Sequence, residues 1–357
     1  MNVKSFAKAG AVFGALSLGL GVLAAPASAD STGPGILAGV GSDTTQYVVS
    51  ALASGSTVVD AGGAKLLQSW DAIPPSGTAD NITTKPTGNC TFARSTVNGS
   101  SNGINKLIAE IDNTATADCV DFARSSRGPA TTGTKLTFVP FAKDAVTFAS
   151  RLGSTAPTNL TQAQLYKLYT CAADRPAGIK PLLPQAGSGT RSFWLQYLGN
   201  TPAPVNPNPG TPITPGSCVN EGLAEAPQEH DGTALTANDQ VMPYSVAQWL
   251  AQGKGFSDVP NRRGQSRLRS IDNVSPTTGT GSATALNATF PAAREVYNVV
   301  STARLGESTI TEAFVGSTAD VCSAASLAVI KNYGFGDLAD DGRSDTNCGD
   351  TALKGNS

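Results

Sequence analysis

Apolar positions along the chain fall into short runs that switch between strand and helix periods. Ile36 to Gly41 reads as a brief buried strand. Directly after it, Asp43, Thr44 and Thr45 are cap candidates for a helix whose apolar face runs through Tyr47, Val48, Ala51 and Leu52. The arrangement returns twice: Asn102-Gly103 precedes Ile104, Leu107, Ile108 and Ile111, and Ser188-Gly189-Thr190 precedes Phe193, Trp194, Tyr197 and Leu198. Two longer β-type runs, Thr137 to Ser150 and Thr289 to Val300, stand apart as candidate crossings between lobes. Alternating strand and helix units predict an α/β fold. The proline-rich stretch from Gly199 to Gly216 predicts a surface loop, the polar tail after Gly336 predicts loose packing, and no internal repeat is visible.

At 357 residues the chain exceeds the roughly 250 to 300 at which one hydrophobic core stops growing, so it predicts two lobes. Cutting at the two crossings puts 30–141 and 289–357 in a discontinuous first lobe and 142–288 in a second. Charged residues make up 15% of the chain and the formal net charge is −2, which excludes the basic face that nucleic-acid binding needs. Any anion affinity must come from local groups rather than long-range steering.

The first 29 residues read as an export signal: Lys4 and Lys8 precede an apolar run, Ala9 to Ala25, which closes on Ala27-Ser28-Ala29 before Asp30. No cysteine stands at that point, so no lipid anchor is indicated, and no later segment is long and apolar enough to span a bilayer. The expected destination is outside the cell membrane: periplasm, wall or medium. Six cysteines remain, Cys90, Cys119, Cys171, Cys218, Cys322 and Cys348, and an even count in an exported chain favours disulfides. Spacing does not choose among the connectivities, although pairing 90 with 119, 171 with 218 and 322 with 348 would keep each bridge inside one lobe. With no short Cys-x-x-Cys pair and His230 the single histidine, neither a metal site nor a cofactor is expected.

Candidate chemistry sits at the three turns. A helix N-terminus carries free N–H groups and a positive dipole end, so it binds a small anion without formal charge. Each turn adds hydroxyls: Ser42 and Thr44, Ser100 and Ser101, Ser188 and Thr190. Helix capping alone explains any one of them, and the triple occurrence is what favours a shared site. Arg124 and Arg127, in Asp121-Phe122-Ala123-Arg124-Ser125-Ser126-Arg127, and Arg191 are the natural charge-compensating partners, with surface salt bridging the bland alternative.

These residues carry a resemblance. Gly39-Val40-Gly41-Ser42-Asp43-Thr44, Gly99-Ser100-Ser101-Asn102-Gly103, Asp121 to Ser126 and Ala186-Gly187-Ser188-Gly189-Thr190-Arg191-Ser192-Phe193-Trp194 together resemble the phosphate-binding proteins of ABC transporters, of the type 2 periplasmic-binding-protein-like superfamily. Leu160-Thr161-Gln162 to Tyr169 and Phe290-Pro291-Ala292-Ala293-Arg294 extend the likeness, which covers about Gly35 to Phe335; the Ser-Gly-Thr-Arg turn is its most specific piece. The resemblance implies a two-lobed α/β fold of the type 2 class with two crossing strands as hinge and one oxyanion, phosphate or a relative, in the inter-lobe cleft. It also implies a monomer that hands its ligand to an ABC permease and catalyses nothing. Carried over, the ligand residues are Ser42, Asp43, Thr44, Ser100, Ser101, Arg124, Ser125, Ser126, Ser188, Gly189, Thr190 and Arg191. The chain departs from the family at Asp43, where Thr is common, and at Ser126, where an Asp usually accepts the proton of hydrogen phosphate. The family's arginine before Ser-Gly-Thr is missing near Pro184, with Arg191 as substitute. Asp43 then either takes the acceptor role or caps its helix and pairs with Arg124.

Two other classes compete. Gly99 to Gly103 fits G-x-S-x-G, so a secreted serine hydrolase with Ser101 as nucleophile and His230 as base is the enzymatic alternative, although His230 in its polar segment reads as solvated. A ligand-free cell-surface module is the structural one. Asp337, Asp340, Asp341 and Asp345 hint at a calcium loop, but Ala339 and Cys348 stand where ligands are required.

Overall fold

The computed structural model describes residues 30, 35–74, 79–86, 89–113, 118–200, 211–221, 228–341 and 347–357. The export segment 1–29 lies outside them, as do 201–210 of the proline-rich stretch and 342–346 of the acidic run.

One nine-stranded sheet runs through the molecule. Its strands in chain order are β1 (Leu37–Gly41), β2 (Leu67–Ser69), β3 (Phe122–Ser125), β4 (Leu136–Arg151), β5 (Lys180–Pro181), β6 (Gln240–Ser245), β7 (Ser266–Leu268), β8 (Ala293–Ser301) and β9 (Lys354–Gly355). The spatial order is β2-β1-β3-β8-β4-β6-β5, with β7 and β9 also pairing β4. β1 is parallel to β2 and β3, whereas β8 is antiparallel to both β3 and β4. Among the described residues seven α-helices cover the sheet: α1 (Gln46–Ser54), α2 (Ser100–Asp112), α3 (Gln162–Tyr169), α4 (Gly189–Gly199), α5 (Val246–Gly253), α6 (Ser308–Phe314) and α7 (Ala324–Asn332). All five residues of β1 are buried, as a parallel strand covered on both faces requires.

The two runs that stood apart in the sequence are the spine. β4 is 16 residues long and pairs through its first part with β8 and β9 and through its last part with β6 and β7. Two apolar clusters flank it. Val139, Phe141 and Ala142 pack with α1, α6 and α7, whereas Ala145, Val146 and Phe148 pack with α3 and α4. Between them β4 carries Lys143 and Asp144, facing Glu295 and Arg294 of β8 across the ladder. Opposite charges therefore lie where one core ends and the next begins. A register shift at Val296/Tyr297 leaves Phe141 as the extra residue of a bulge beside Pro140, which has no N–H to give the ladder. Helix α5 belongs to both cores, with Ala247 and Ala251 in the first and Val246 and Leu250 in the second.

Three local expectations change. Helix α2 starts at Ser100 rather than after Gly103. Gly103 is glycine because a Cβ there would lie 2.5 Å from the Gly41 Cα, so the position marks a close approach of two turns and not a helix start. Asp43 does not cap α1: its Oδ1 accepts from the neighbouring Thr44 N–H, and the helix begins without a side-chain cap. The described tail is held rather than loose. β9 adds to β4, Ser357 O accepts from Ala130 N and Asn356 Oδ1 accepts from the Thr134 and Lys135 N–H groups. Side-chain polarity had no bearing on backbone pairing. Disulfides join Cys90 to Cys119, Cys171 to Cys218 and Cys322 to Cys348.

Candidate functional site

The three turns meet. The turn after β1 brings Thr44, the start of α2 brings Ser100, the end of β3 brings Ser126, and the start of α4 brings Ser188, Gly189 and Thr190. Thr44 Oγ1 lies 3.3 Å from Thr190 Oγ1 and 3.4 Å from Ser126 Oγ, and Ser126 Oγ lies 3.3 Å from Ser100 Oγ. Ser126 N–H donates to Ser100 Oγ at 3.0 Å. Gly189 stands so near this cluster that a Cβ would fall 2.2 Å from Ser100 Oγ and 2.4 Å from Ser126 Oγ, which explains its identity better than any turn requirement does. Ser188 caps α4 by accepting from Arg191 N–H, while the first N–H groups of that helix, at Gly189 and Thr190, have no helical acceptor. Thr44, Ser100, Ser126, Ser188 and Thr190 are all fully buried.

Charge enters from residues the sequence reading did not select. Arg294 Nη2 donates to Thr190 Oγ1 at 2.7 Å and, with Nε, to Asp144 Oδ2 at 2.8 and 3.2 Å. Asp144 is further held by Ser245 Oγ and the Ala247 N–H. Glu229 accepts from Thr44 Oγ1 at 2.9 Å and from Ser188 Oγ at 3.1 Å. Gln248 Nε2 donates to the Thr44 carbonyl. His230 is fully buried rather than solvated, with Nδ1 3.6 Å from Asp43 Oδ2.

Burial drives the electrostatics. It raises the Asp43 carboxyl well above the usual carboxylate range, and the Glu229 charge and hydrogen bond push the same way. For Glu229 burial pushes upward, but the Asp43 hydrogen bond, helped by the Arg294 charge, holds the group below its ordinary value. Burial pushes His230 down to about 4, leaving a neutral ring.

Other candidates point elsewhere. The Arg124 guanidinium lies behind β1, on the carbonyls of Gly39, Gly41 and Ser42 and the Ser69 hydroxyl. Ser101 Oγ accepts from Arg127, Ser125 Oγ donates to the Arg127 carbonyl, and Ser42 Oγ is buried without a partner. Arg191 reaches the Pro184 carbonyl and pairs with Glu221 near the surface, outside the cluster. Ser101 on Arg127 and His230 against Asp43 form no nucleophile–base pair, which leaves the hydrolase alternative without support. Among the described residues no group of His, Cys, Asp and Glu is arranged to hold a metal ion, and no helix is long and apolar enough to cross a membrane.

An α/β chain with several turns converging on one buried point matches a known family model, the PBP superfamily domain, over residues 28–340. The chain belongs to the PBP superfamily. Solved structures similar to this PBP chain include an ABC-type phosphate transport receptor from Vibrio cholerae (15% identity, 84% of this chain and 99% of that one, TM-score 0.48). Others are a putative phosphate ABC transporter substrate-binding protein with bound phosphate from Clostridium perfringens (13%, 84% and 98%, 0.47) and PstS from Borrelia burgdorferi (16%, 85% and 98%, 0.41). Comparison with curated proteins returns no match. Asp144 and Arg294 carried one signal, charge inside otherwise apolar β-type runs, in Phe141-Ala142-Lys143-Asp144-Ala145 and Ala293-Arg294-Glu295-Val296, whereas Glu229, in the polar stretch Pro227 to Gly232, carried none.

Proposed function

We propose that this protein is an exported binding protein that holds one small oxyanion, inorganic phosphate, in the cleft where the three turns meet. One observation carries the reading: hydroxyls from Thr44, Ser100, Ser126, Ser188 and Thr190, far apart in sequence, are buried together with the free N–H groups at the start of α4 and the Arg294 guanidinium. Hydroxyl and amide donors wrap a tetrahedral anion, and a guanidinium supplies the compensating charge in a site closed to water. Phosphate, unlike sulfate, keeps a proton near neutral pH. A carboxyl at Asp43 suits it, because that group can accept the ligand's proton or donate its own.

The lobes in this reading are 30–141 with 289–357, and 142–288, and β4 and β8 are the strands between them. The ion pair Arg294–Asp144 sits on these two strands, so ligand contact at Thr190 reaches the hinge through one side chain. The ligand would pass to an ABC permease, the protein would act as a monomer outside the cell membrane, and no turnover is involved. Isothermal titration of the chain with phosphate and with sulfate tests the assignment. Saturable phosphate binding, lost stepwise in Thr190→Val and Ser188→Ala, is the expected result; absence of heat with both anions at millimolar concentration removes it.

A further inference from the structure

The centre of the cleft already contains an anion. Glu229 is fully buried, and each carboxylate oxygen takes a hydroxyl from a different turn: Oε1 from Thr44 of the first, Oε2 from Ser188 of the third. These are two of the donors assigned above to the oxyanion. Two ligands cannot share them, since a hydroxyl has one proton to give. The positive group stands one hydroxyl away, because Arg294 donates to Thr190, whose Oγ1 is 3.3 Å from Thr44 Oγ1. Arg294 Nη1 is buried without a partner, so the cradle has donor capacity that Glu229 does not use.

We infer that Glu229 is a tethered competitor of the ligand: its carboxylate occupies the Thr44 and Ser188 hydroxyls, and free oxyanion binds by displacing it. The inference rests on the proposed function, since the displaced position is the oxyanion's. A carboxylate fixed to the chain competes at the high effective concentration of an intramolecular partner. Phosphate still wins because its four oxygens reach Ser100, Ser126 and the free Arg294 Nη1 as well as Thr44 and Ser188. The leaving side chain has somewhere to go. Gln228 and Asp231, on either side of Glu229-His230, line an open cavity of about 560 Å³ together with Arg262.

Removing the competitor should tighten binding, since the apparent dissociation constant falls with the fraction of molecules that are self-occupied. Titration of the full chain with inorganic phosphate should give Glu229→Ala an affinity about tenfold or more above wild type. Glu229→Gln, which keeps the shape without the charge, should fall between them. Equal or weaker phosphate binding by both variants overturns the inference while leaving the proposed function standing, because wild-type binding is measured in the same series. If neither wild type nor variant binds phosphate or sulfate, the oxyanion reading itself fails and takes this one with it. Should the alanine variant fold poorly, the glutamine variant decides by the same criterion.

Discussion

Arg124 and Arg294 are both fully buried, and their surroundings differ in one respect. Arg124 is surrounded by main-chain carbonyls and Ser69, in a pocket that also feels Asp71, and every contact it makes knits β1, β2 and β3 together. Arg294 shares its guanidinium between the Asp144 carboxylate and the Thr190 hydroxyl and keeps one nitrogen without a partner. The first is a structural clamp and the second a poised charge. Burial of an arginine is thus no sign of function in itself; what separates the two is whether all of its donors are consumed by the fold.

The largest effect should come from Arg294→Met, which strands the Asp144 charge in the interior. Loss of about 3–5 kcal/mol of unfolding free energy is expected by denaturant titration, together with loss of phosphate binding. A loss below about 1 kcal/mol would place Arg294 with the weakly coupled surface pairs.

The two regions should also respond to pH with opposite sign. Beside Arg124, burial raises Asp71 to about 7, so the unfolded chain gives up its proton from pH 3.8 upward while the folded chain retains it. That region's stability is present below pH 3.8 and lost as pH rises to about 7. In the cleft, His230 is pushed down to about 4, so its contribution is present above pH 6.5 and lost as pH falls to about 4. Relative to wild type, Asp71→Asn should therefore gain stability as pH rises from about 4 to 7, by up to about 4 kcal/mol. His230→Asn should gain as pH falls from about 6.5 to 4, by up to about 3 kcal/mol. Denaturation midpoints at four pH values check both slopes, and parallel slopes in the two variants would erase the contrast.

Smaller effects sharpen the cleft side. Thr190→Val removes a hydroxyl between Arg294 and Thr44 and should weaken phosphate binding by about 1 kcal/mol, roughly fivefold in Kd. Arg191→Ala removes a guanidinium engaged with Pro184 and Glu221 near the surface, so affinity should change by about 0.5 kcal/mol at most, within roughly twofold. A tenfold loss in that variant would bring Arg191 into the cleft and weaken the case for Arg294.

Much of this was legible in the residues. Strand and helix periods located β1, the long strands β4 and β8 and the helices α1, α2 and α4, although α2 begins at Ser100 and not after Gly103, because side-chain period follows backbone geometry directly. Hydroxyl-rich turns picked out Thr44, Ser100, Ser126, Ser188, Gly189 and Thr190, which do come together. Their order along the chain carried the family likeness. The sequence could not say which charges would enter. Arg124 and Arg191 lie beside the right motifs in the chain but point behind β1 and toward the surface. Arg294 reaches Thr190, 104 positions earlier, because β8 runs antiparallel to β4 and sets it opposite Asp144. Glu229 and His230 sit in a stretch whose polarity suggests solvent, and both end wholly buried. Local pattern determines which backbone forms and which donors sit at its ends. Pairing of a charge with its counter-charge is settled only when distant strands fix the distance between them, since the energy of that pair depends on separation and desolvation rather than on position in the chain.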